Sequence, residues 1–313
     1  MTKQRAYPIA VITFLLMLAA LALALPASAK PAQLSPIERL GKAIYFDTRL
    51  SVPEGQACAS CHAPEAGFTG PVSEINLDTA VYPGAVSTRF GNRKPPTAAY
   101  AGDSPVFYFD DAEGLWIGGM FWDGRATGAH LGNPAADQAL GPFLNPVEQN
   151  NPGKMAVLEQ IAASSYAWLW EAVWGEPLHY DTPAAIDMNY DRVGLAIAAY
   201  EGSPEVNAFS SKYDLYLRGE AELTEQELWG KELFEGKGLC SACHMEPLFT
   251  DFTFDNLGVF KNPDNPFYRM DQVFLPDGSP INPEGAAWID PGLGGYLASL
   301  PPEYFTALGL DKE

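Results

Sequence analysis

A chain of 313 residues, 47% apolar, is long enough for about two domains, each able to bury a core. Its formal net charge of -20 argues against nucleic acid or an anionic membrane as partner. That charge would steer in a basic protein, and it serves equally to keep an exported protein soluble.

The N-terminus reads as an export signal. Lys3 and Arg5 precede an apolar run from Pro8 to Leu25, and Ala27-Ser28-Ala29 forms a small-residue cleavage site. Residues 1–29 are expected to be removed as a signal peptide, with the mature chain beginning near Lys30. Pro26 and the cleavage site favour removal over a membrane anchor, and no later run is long and apolar enough to span a bilayer. Ser35-Pro36-Ile37-Glu38 then predicts a helix start, with Ser as the cap, Pro at the first helical position and Glu at the third. Ala156 to Trp174 places Val157, Leu158, Ile161, Tyr166, Leu169 and Val173 near helical spacing, with Asn151-Pro152 as its cap and Gly175 as its stop. Asp191 to Tyr200 is a further apolar, Ala-rich helix, and Thr224-Glu225-Gln226-Glu227 is a second capping box. Strand signals are weak throughout. Residues 262–302, rich in Pro, Gly and Asp, read as a long loop region.

All four cysteines fall in two Cys-x-x-Cys-His motifs, Cys58-Ala59-Ser60-Cys61-His62 and Cys240-Ser241-Ala242-Cys243-His244, the signature of c-type haem attachment. Two thiols so spaced reach both vinyl groups on one porphyrin edge, and the next residue turns its imidazole under the iron. The rivals are a four-cysteine zinc site, two thioredoxin-like pairs or two disulfides. A zinc ribbon brings its second pair within about 15–20 residues, and none of the three requires a histidine after both pairs. Cys58, Cys61, Cys240 and Cys243 are therefore expected to carry two covalently bound haems, with His62 and His244 as iron ligands. For such an exported protein the compartment is the bacterial periplasm. Trp168, Trp170 and Trp174 are expected in the core or at a haem edge.

The surroundings of the motifs repeat. Each follows a capping box and a Gly-Lys helix, Leu40-Gly41-Lys42-Ala43-Ile44-Tyr45-Phe46 and Trp229-Gly230-Lys231-Glu232-Leu233-Phe234, and each precedes Phe-Thr, at Phe68-Thr69 and Phe249-Thr250. Internal duplication accounts for this coincidence better than chance does.

Between the motifs lie Phe121-Trp122-Asp123-Gly124-Arg125-Ala126 and the run Gln138-Ala139-Leu140-Gly141-Pro142-Phe143-Leu144-Asn145-Pro146-Val147-Glu148. With the two haem motifs they resemble the bacterial di-haem cytochrome c peroxidases, a superfamily that includes the MauG proteins. The likeness runs from about Leu34 to about Gly258 and takes in Ala196 to Glu201 and Phe209 to Gly219. It implies a mainly α, loop-rich chain with two cytochrome c-like haem domains. The peroxidatic domain would cover residues 30–205, and the electron-accepting domain residues 206–313.

The resemblance further implies a peroxide site at the haem of His62, electron entry at the haem of His244, and Trp122 between them. Glu148 would be the acid/base and Gln138 would orient peroxide. A carboxyl in a sparsely hydrated pocket has a pKa suited to taking and returning a proton. Read on their own residues, Asn145 to Glu148 form a capping box and Trp122 is a core aromatic. Arg125 either contacts a haem propionate or forms a surface ion pair.

Several features depart from the family pattern. Many members cap the peroxidatic iron with a histidine after the first motif, but residues 63–129 contain none. His130 and His179 read as surface residues, so an open sixth position is expected on the iron of His62. The family's sixth ligand to the second haem, Met or Tyr, is expected beyond the last residue here, leaving the second domain incomplete; Met270 is out of position. Calcium between the domains is left open, because Pro96-Thr97-Ala98-Ala99-Tyr100 lacks the expected asparagine.

The expected function is reduction of hydrogen peroxide to water, with a small cytochrome or copper protein as electron donor and a homodimer as an open assembly. The alternatives are a MauG-like enzyme that oxidises residues of a partner protein, and a di-haem electron-transfer module. Gln138 and Glu148 argue against the last.

Overall fold

The helix predicted at Ser35 forms over Pro36–Tyr45 (α1), its start closed by the reciprocal Ser35–Glu38 capping box. The computed structural model describes residues 33–308 and residue 310, and the predicted export signal lies outside the described residues. The helices that follow are Cys58–Cys61 (α2), Ser73–Leu77 (α3), Pro134–Ala139 (α4), Gly141–Leu144 (α5), Lys154–Ala162 (α6) and Trp168–Trp174 (α7). Pro183–Glu201 (α8), Lys212–Leu217 (α9), Glu225–Glu235 (α10), Gly292–Ser299 (α11) and Pro302–Ala307 (α12) complete the set. Leu34–Glu313 make one compact unit, mainly helical and rich in loops. Among the described residues no helix is long and apolar enough to cross a membrane.

α1 packs across α8, and Gly41 makes the crossing possible. A Cβ at position 41 would lie 1.8 Å from the Ala196 carbonyl oxygen and 3.0 Å from Tyr200 Cβ. Around this contact Leu40, Ile44, Tyr45, Val193, Ile197 and Tyr200 are at most 1% exposed. Each such side chain contributes about 1.5–3 kcal/mol by leaving water. α6 adds Val157, Leu158 and Ile161, and α7 adds Leu169 and Trp170; this main core draws only on residues between 34 and 206.

Residues 156–174 form two helices rather than the one predicted. The chain breaks between α6 and α7, and Tyr166 in the break sends its hydroxyl 2.8 Å to Asp47 Oδ2. Asn151 does not cap α6; Gly153 stands at that position. The Asn151 amide instead donates to the Leu50 and Phe143 carbonyls at 2.8 and 3.0 Å, a tertiary use that local spacing does not reveal. Gly175 ends α7 with φ 73°, as predicted. Trp170 is core and Trp174 lies under the Arg192 guanidinium, whereas Trp168, expected in the core or at a haem edge, is 61% exposed and so is not core.

A short hairpin, Tyr108–Asp110 (β1) paired antiparallel with Leu115–Ile117 (β2), was not predicted, because three-residue strands are too short for alternation to show. Its turn is set by the Asp110 carboxylate, which accepts from the Ala112 and Glu113 amides, and by Gly114 at φ 68°.

Residues 262–302, expected to be a long loop region, contain a two-turn helix, α11, besides the 3-10 turns Pro266–Gln272 and Gly285–Ala287, and they fold back on earlier elements. Asn262 donates to the Asp78 carbonyl at 2.9 Å and Asn265 to the Asn92 carbonyl at 3.0 Å. Tyr296 and Tyr304 pack against the Phe107–Trp116 ring stack at the hairpin. Arg93 forks onto Asp290 through bonds of 2.6 and 2.7 Å.

Gly41→Ala forces the two helices apart. It is expected to cost about 3 kcal/mol, the upper end of the usual overpacking penalty, read as a lower urea midpoint of the haem-loaded protein.

Candidate haem and peroxide site

In the first motif one turn of helix places Cys58 and Cys61 three residues apart on the same side. The Ser60 hydroxyl accepts from the Ala57 amide at 3.0 Å, and the His62 amide donates to the Cys58 carbonyl at 2.9 Å. The Tyr45 hydroxyl donates to the His62 carbonyl at 2.7 Å, fixing the residue from the core side. His62 Nδ1 lies 2.8 Å from the Pro96 carbonyl and 3.3 Å from that of Phe68. Carbonyls only accept, so Nδ1 carries the proton and Nε2 keeps its lone pair for a metal. Burial lowers the His62 pKa more than these carbonyls raise it, which favours the neutral imidazole.

The second motif repeats this local geometry. The His244 amide donates to the Cys240 carbonyl at 2.9 Å, and Nδ1 lies 2.9 Å from the Phe249 carbonyl. Phe249 and its counterpart Phe68 both adopt positive φ, 57° and 60°. Cys240 and Cys243 are exposed, whereas Cys58 and Cys61 are half-buried. Phe234 and Phe249 stand beside His244, and Trp229, Leu239 and Met245 are exposed nearby in sequence. Apolar surface beside a paired thiol and a tautomer-fixed histidine suits a porphyrin face. The residues at both motifs thus fit an attached haem. No two cysteines are joined in a disulfide, and the only close grouping of three or more metal-ligating side chains among the described residues is Cys243, Asp251 and Asp255. The two cysteine pairs do not converge on one zinc site.

Glu148 is brought to the first motif by a bracket of backbone contacts. The Ala85 amide donates to the Glu148 carbonyl at 2.7 Å, and a Cβ on Gly84 would lie 2.4 Å from the Val147 carbonyl oxygen. Gln56, two residues ahead of Cys58, donates to the Pro83 carbonyl at 2.9 Å and reaches within 4.0 Å of Cys61 Sγ. Burial, reinforced by the charge of Glu148, pushes the Cys61 thiol up to about 12. Burial also raises the pKa of Glu148 itself; the Asn145 hydrogen bond and the Arg125 charge oppose this without cancelling it.

Asn145 and Glu148 do not form a capping box, since residues 146–149 are a turn and no helix starts there. Asn145 Nδ2 instead donates to Glu148 Oε2 at 2.7 Å. Gln138 lies in α4, half-buried, and among the described residues nothing hydrogen-bonds its side-chain amide.

Trp122 sits in a tight turn with Phe121 at φ 65° and Gly124 at φ 73°. It is 67% exposed, so it is not a core aromatic. Arg125 makes the ion pair, 2.7 Å to Asp123, with its guanidinium 3.8 Å from the Phe121 ring centroid. Asp123 also accepts from Arg93 at 2.7 Å, which links this turn to Asp290. Burial raises the Asp123 carboxyl, but the two guanidiniums more than offset it and hold the pKa low. A cleft of about 330 Å³ lies between Phe121, Arg125, His130 and Leu140. His130 is exposed and held 2.9 Å from Asp191 Oδ1, and His179 is exposed. Met270 is buried in its own 3-10 turn. At the position expected to hold asparagine, Tyr100 has φ 61° and accepts the Phe209 amide at 3.1 Å.

Gln56 and Tyr45 were not singled out as site residues by sequence, and Asn145 was read only as a helix cap. The one local signal was the position of Gln56 beside the motif.

A mainly helical chain with two such motifs defines a di-haem cytochrome class. The family model for di-haem cytochrome c peroxidases matches residues 36–222, and the chain belongs to that family. It is 35% identical over 255 residues to the methylamine utilization protein MauG of Paracoccus denitrificans, covering 77% of this chain and 62% of that protein. It is 28% identical to the cytochrome c551 peroxidase of Nitrosomonas europaea, covering 75% of this chain and 59% of that one. The crystal structure of the diheme peroxidase BthA from Burkholderia thailandensis superimposes with a TM-score of 0.68 at 31% identity, over 86% of this chain and 62% of that one. The chain thus spans about three fifths of the length of these relatives.

The Asn145 bond favours ionised Glu148, so Asn145→Ala removes a stabilising contact from the charged form. An infrared titration of the Glu148 carboxyl is expected to move to higher pH in that variant, and in the same direction in Arg125→Ala.

Proposed function

We propose that this chain is a periplasmic di-haem peroxidase that reduces hydrogen peroxide to water. Its electrons would come one at a time from a small cytochrome or copper protein. The observation that carries this reading is Glu148, a carboxyl of raised pKa fixed by Asn145 beside the Cys61 end of the first haem motif. Haem would be joined to Cys58 and Cys61 and ligated by His62, and a second haem to Cys240 and Cys243 with His244. The haem iron, when bound, supplies the electrons that break the O–O bond.

The remaining steps belong to the protein. Glu148 takes the proton from the peroxide oxygen nearer the iron and returns it to the departing oxygen, which leaves as water. Gln138, with an uncommitted amide, orients the peroxide. Two electrons and two protons per peroxide give two waters, so the donor protein is used twice. Trp122, exposed in its turn, would carry electrons between the two haems. Arg125, paired with Asp123, acts on Glu148 through its charge. Residues 63–129 hold no histidine and His130 is engaged by Asp191, so neither would compete with peroxide for an iron held by His62.

The matched capping boxes, Nδ1–carbonyl bonds and Phe conformations at the two motifs support internal duplication. They also support a boundary near residues 205 and 206, where the main core ends. A MauG-like oxidation of partner-protein residues is the second reading, favoured by the 35% identity to that protein.

The test adds peroxide to haem-loaded protein with a reduced small cytochrome. Rapid donor oxidation is expected, with Glu148→Gln lowering kcat/KM for peroxide by about 10²–10⁴. Cys58→Ser/Cys61→Ser is expected to lose one haem mass from the chain. Lasting oxidised iron without donor turnover would instead favour the MauG-like reading.

A further inference from the structure

A second carboxyl lies beside the first haem motif and has no part in the proposed peroxide chemistry. Glu201 is the last residue of α8 and is 7% exposed. Among the described residues no donor reaches its carboxylate; the one bond at this residue runs from Asn207 Nδ2 to its backbone carbonyl at 2.9 Å. Its neighbour Tyr200 sets its ring 5.3 Å from that of Tyr45, whose hydroxyl holds the His62 carbonyl, so this end of α8 lies beside the first motif; burial, with the Glu201 charge added, pushes the Cys58 thiol and the Tyr45 hydroxyl up. Two residues on, the fully buried Ser203 hydroxyl likewise has no partner, while Gly202 between them is exposed.

The other charged groups on elements packed here are committed or exposed. Lys42 of α1 pairs with Glu205, and the Tyr200 hydroxyl also donates to Glu205 at 3.4 Å. Asp137 of α4 accepts the His130 and Leu131 amides, and Lys154 of α6 pairs with Asp187. Glu159 of α6 and Asp103, on the 3-10 turn Ala101–Asp103, are exposed. No cation is supplied to Glu201.

A buried carboxyl without donors is stable only when neutral, unless charge changes nearby. Such a change is available at a haem joined to Cys58. We propose that Glu201 is the proton-exchanging partner of the haem held by Cys58, Cys61 and His62. Its carboxylate takes one proton from solvent when that iron gains one electron, and returns it when the electron leaves. The electron comes from the external one-electron donor, so electron and proton enter together and no net charge is added to the buried space. Burial alone pushes the Glu201 carboxyl up to about 8, which places the exchange in a range where both forms are accessible. The added negative charge of the reduced centre raises the proton affinity further, and by reciprocity protonation raises the midpoint potential. The inference rests on haem attachment at the first motif, part of the proposed function.

The experiment is spectroelectrochemistry of the haem-loaded full chain from about pH 6 to pH 10, following the component of the first haem. One proton per electron gives a tenfold change per pH unit, about 59 mV for a one-electron couple. A fall of that slope through the region around pH 8 is expected, together with a glutamic acid C=O band that appears on reduction in the infrared difference spectrum. Glu201→Gln should abolish both, while Glu148→Gln should keep both. A pH-independent potential in the unsubstituted protein, or a slope that survives in Glu201→Gln, would overturn the proposal. If Glu201→Gln does not load haem, the infrared difference spectrum of the unsubstituted protein with labelled glutamate decides, and absence of the band overturns it. A chain that carries haem and turns over peroxide but shows no slope defeats this inference alone. A chain that attaches no haem at Cys58 and Cys61 defeats the proposed function as well.

Discussion

The close crossing of α1 over α8 is the contact on which the rest of the molecule depends. It exists because position 41 has no side chain to collide with the Ala196 carbonyl. From that crossing Tyr45 is delivered at the end of α1 and Tyr200 at the end of α8, with their rings 5.3 Å apart and edge-on. Tyr45 then fixes the backbone of His62, and the loop carrying Pro96 fixes its ring. The orientation of the candidate iron ligand is therefore a product of helix packing rather than of the five-residue motif alone. An interior packed at crystal-like density transmits such placement with little slack.

The surroundings of the first motif treat two carboxyls differently. Glu148 is given a hydrogen-bond donor, Asn145, and feels the Arg125 guanidinium, yet burial still raises its pKa. Glu201 is given neither, and burial alone acts on it. Asp123 shows the opposite outcome, because two arginines converge on it and outweigh its burial. Three acidic groups in one region thus span low to raised pKa according to the donors that each receives. That is how one acidic chain gives its carboxyls different proton affinities.

Much of the helical framework was legible because its signals are local. The Ser35–Glu38 and Thr224–Glu227 boxes and the stop at Gly175 require only neighbouring residues. The haem motifs were legible for the same reason. What could not be read was whatever depends on a distant partner. Asn151 looks like a cap but serves the carbonyls of Leu50 and Phe143, and Asn145 looks like a cap but serves Glu148. Trp168 has the residue type of a core position yet faces solvent, because α7 begins after a break that its periodicity does not announce. Of the candidate site, Glu148 came from family resemblance, while Gln56 and Glu201 became visible only once Cys58 and Cys61 had a three-dimensional surrounding.

The fork of Arg93 onto Asp290 joins residues 197 apart in sequence, and the hairpin aromatics Phe107 and Trp116 meet Tyr296 and Tyr304 from the same distant segment. Such contacts close a very long loop and so form late, after the local helices and the α1–α8 core. The apolar face of the hairpin stays uncovered until the segment that carries Tyr296 and Tyr304 folds back on it. The turn that carries Trp122, tied to the same fork through Asp123, reaches its final setting only then.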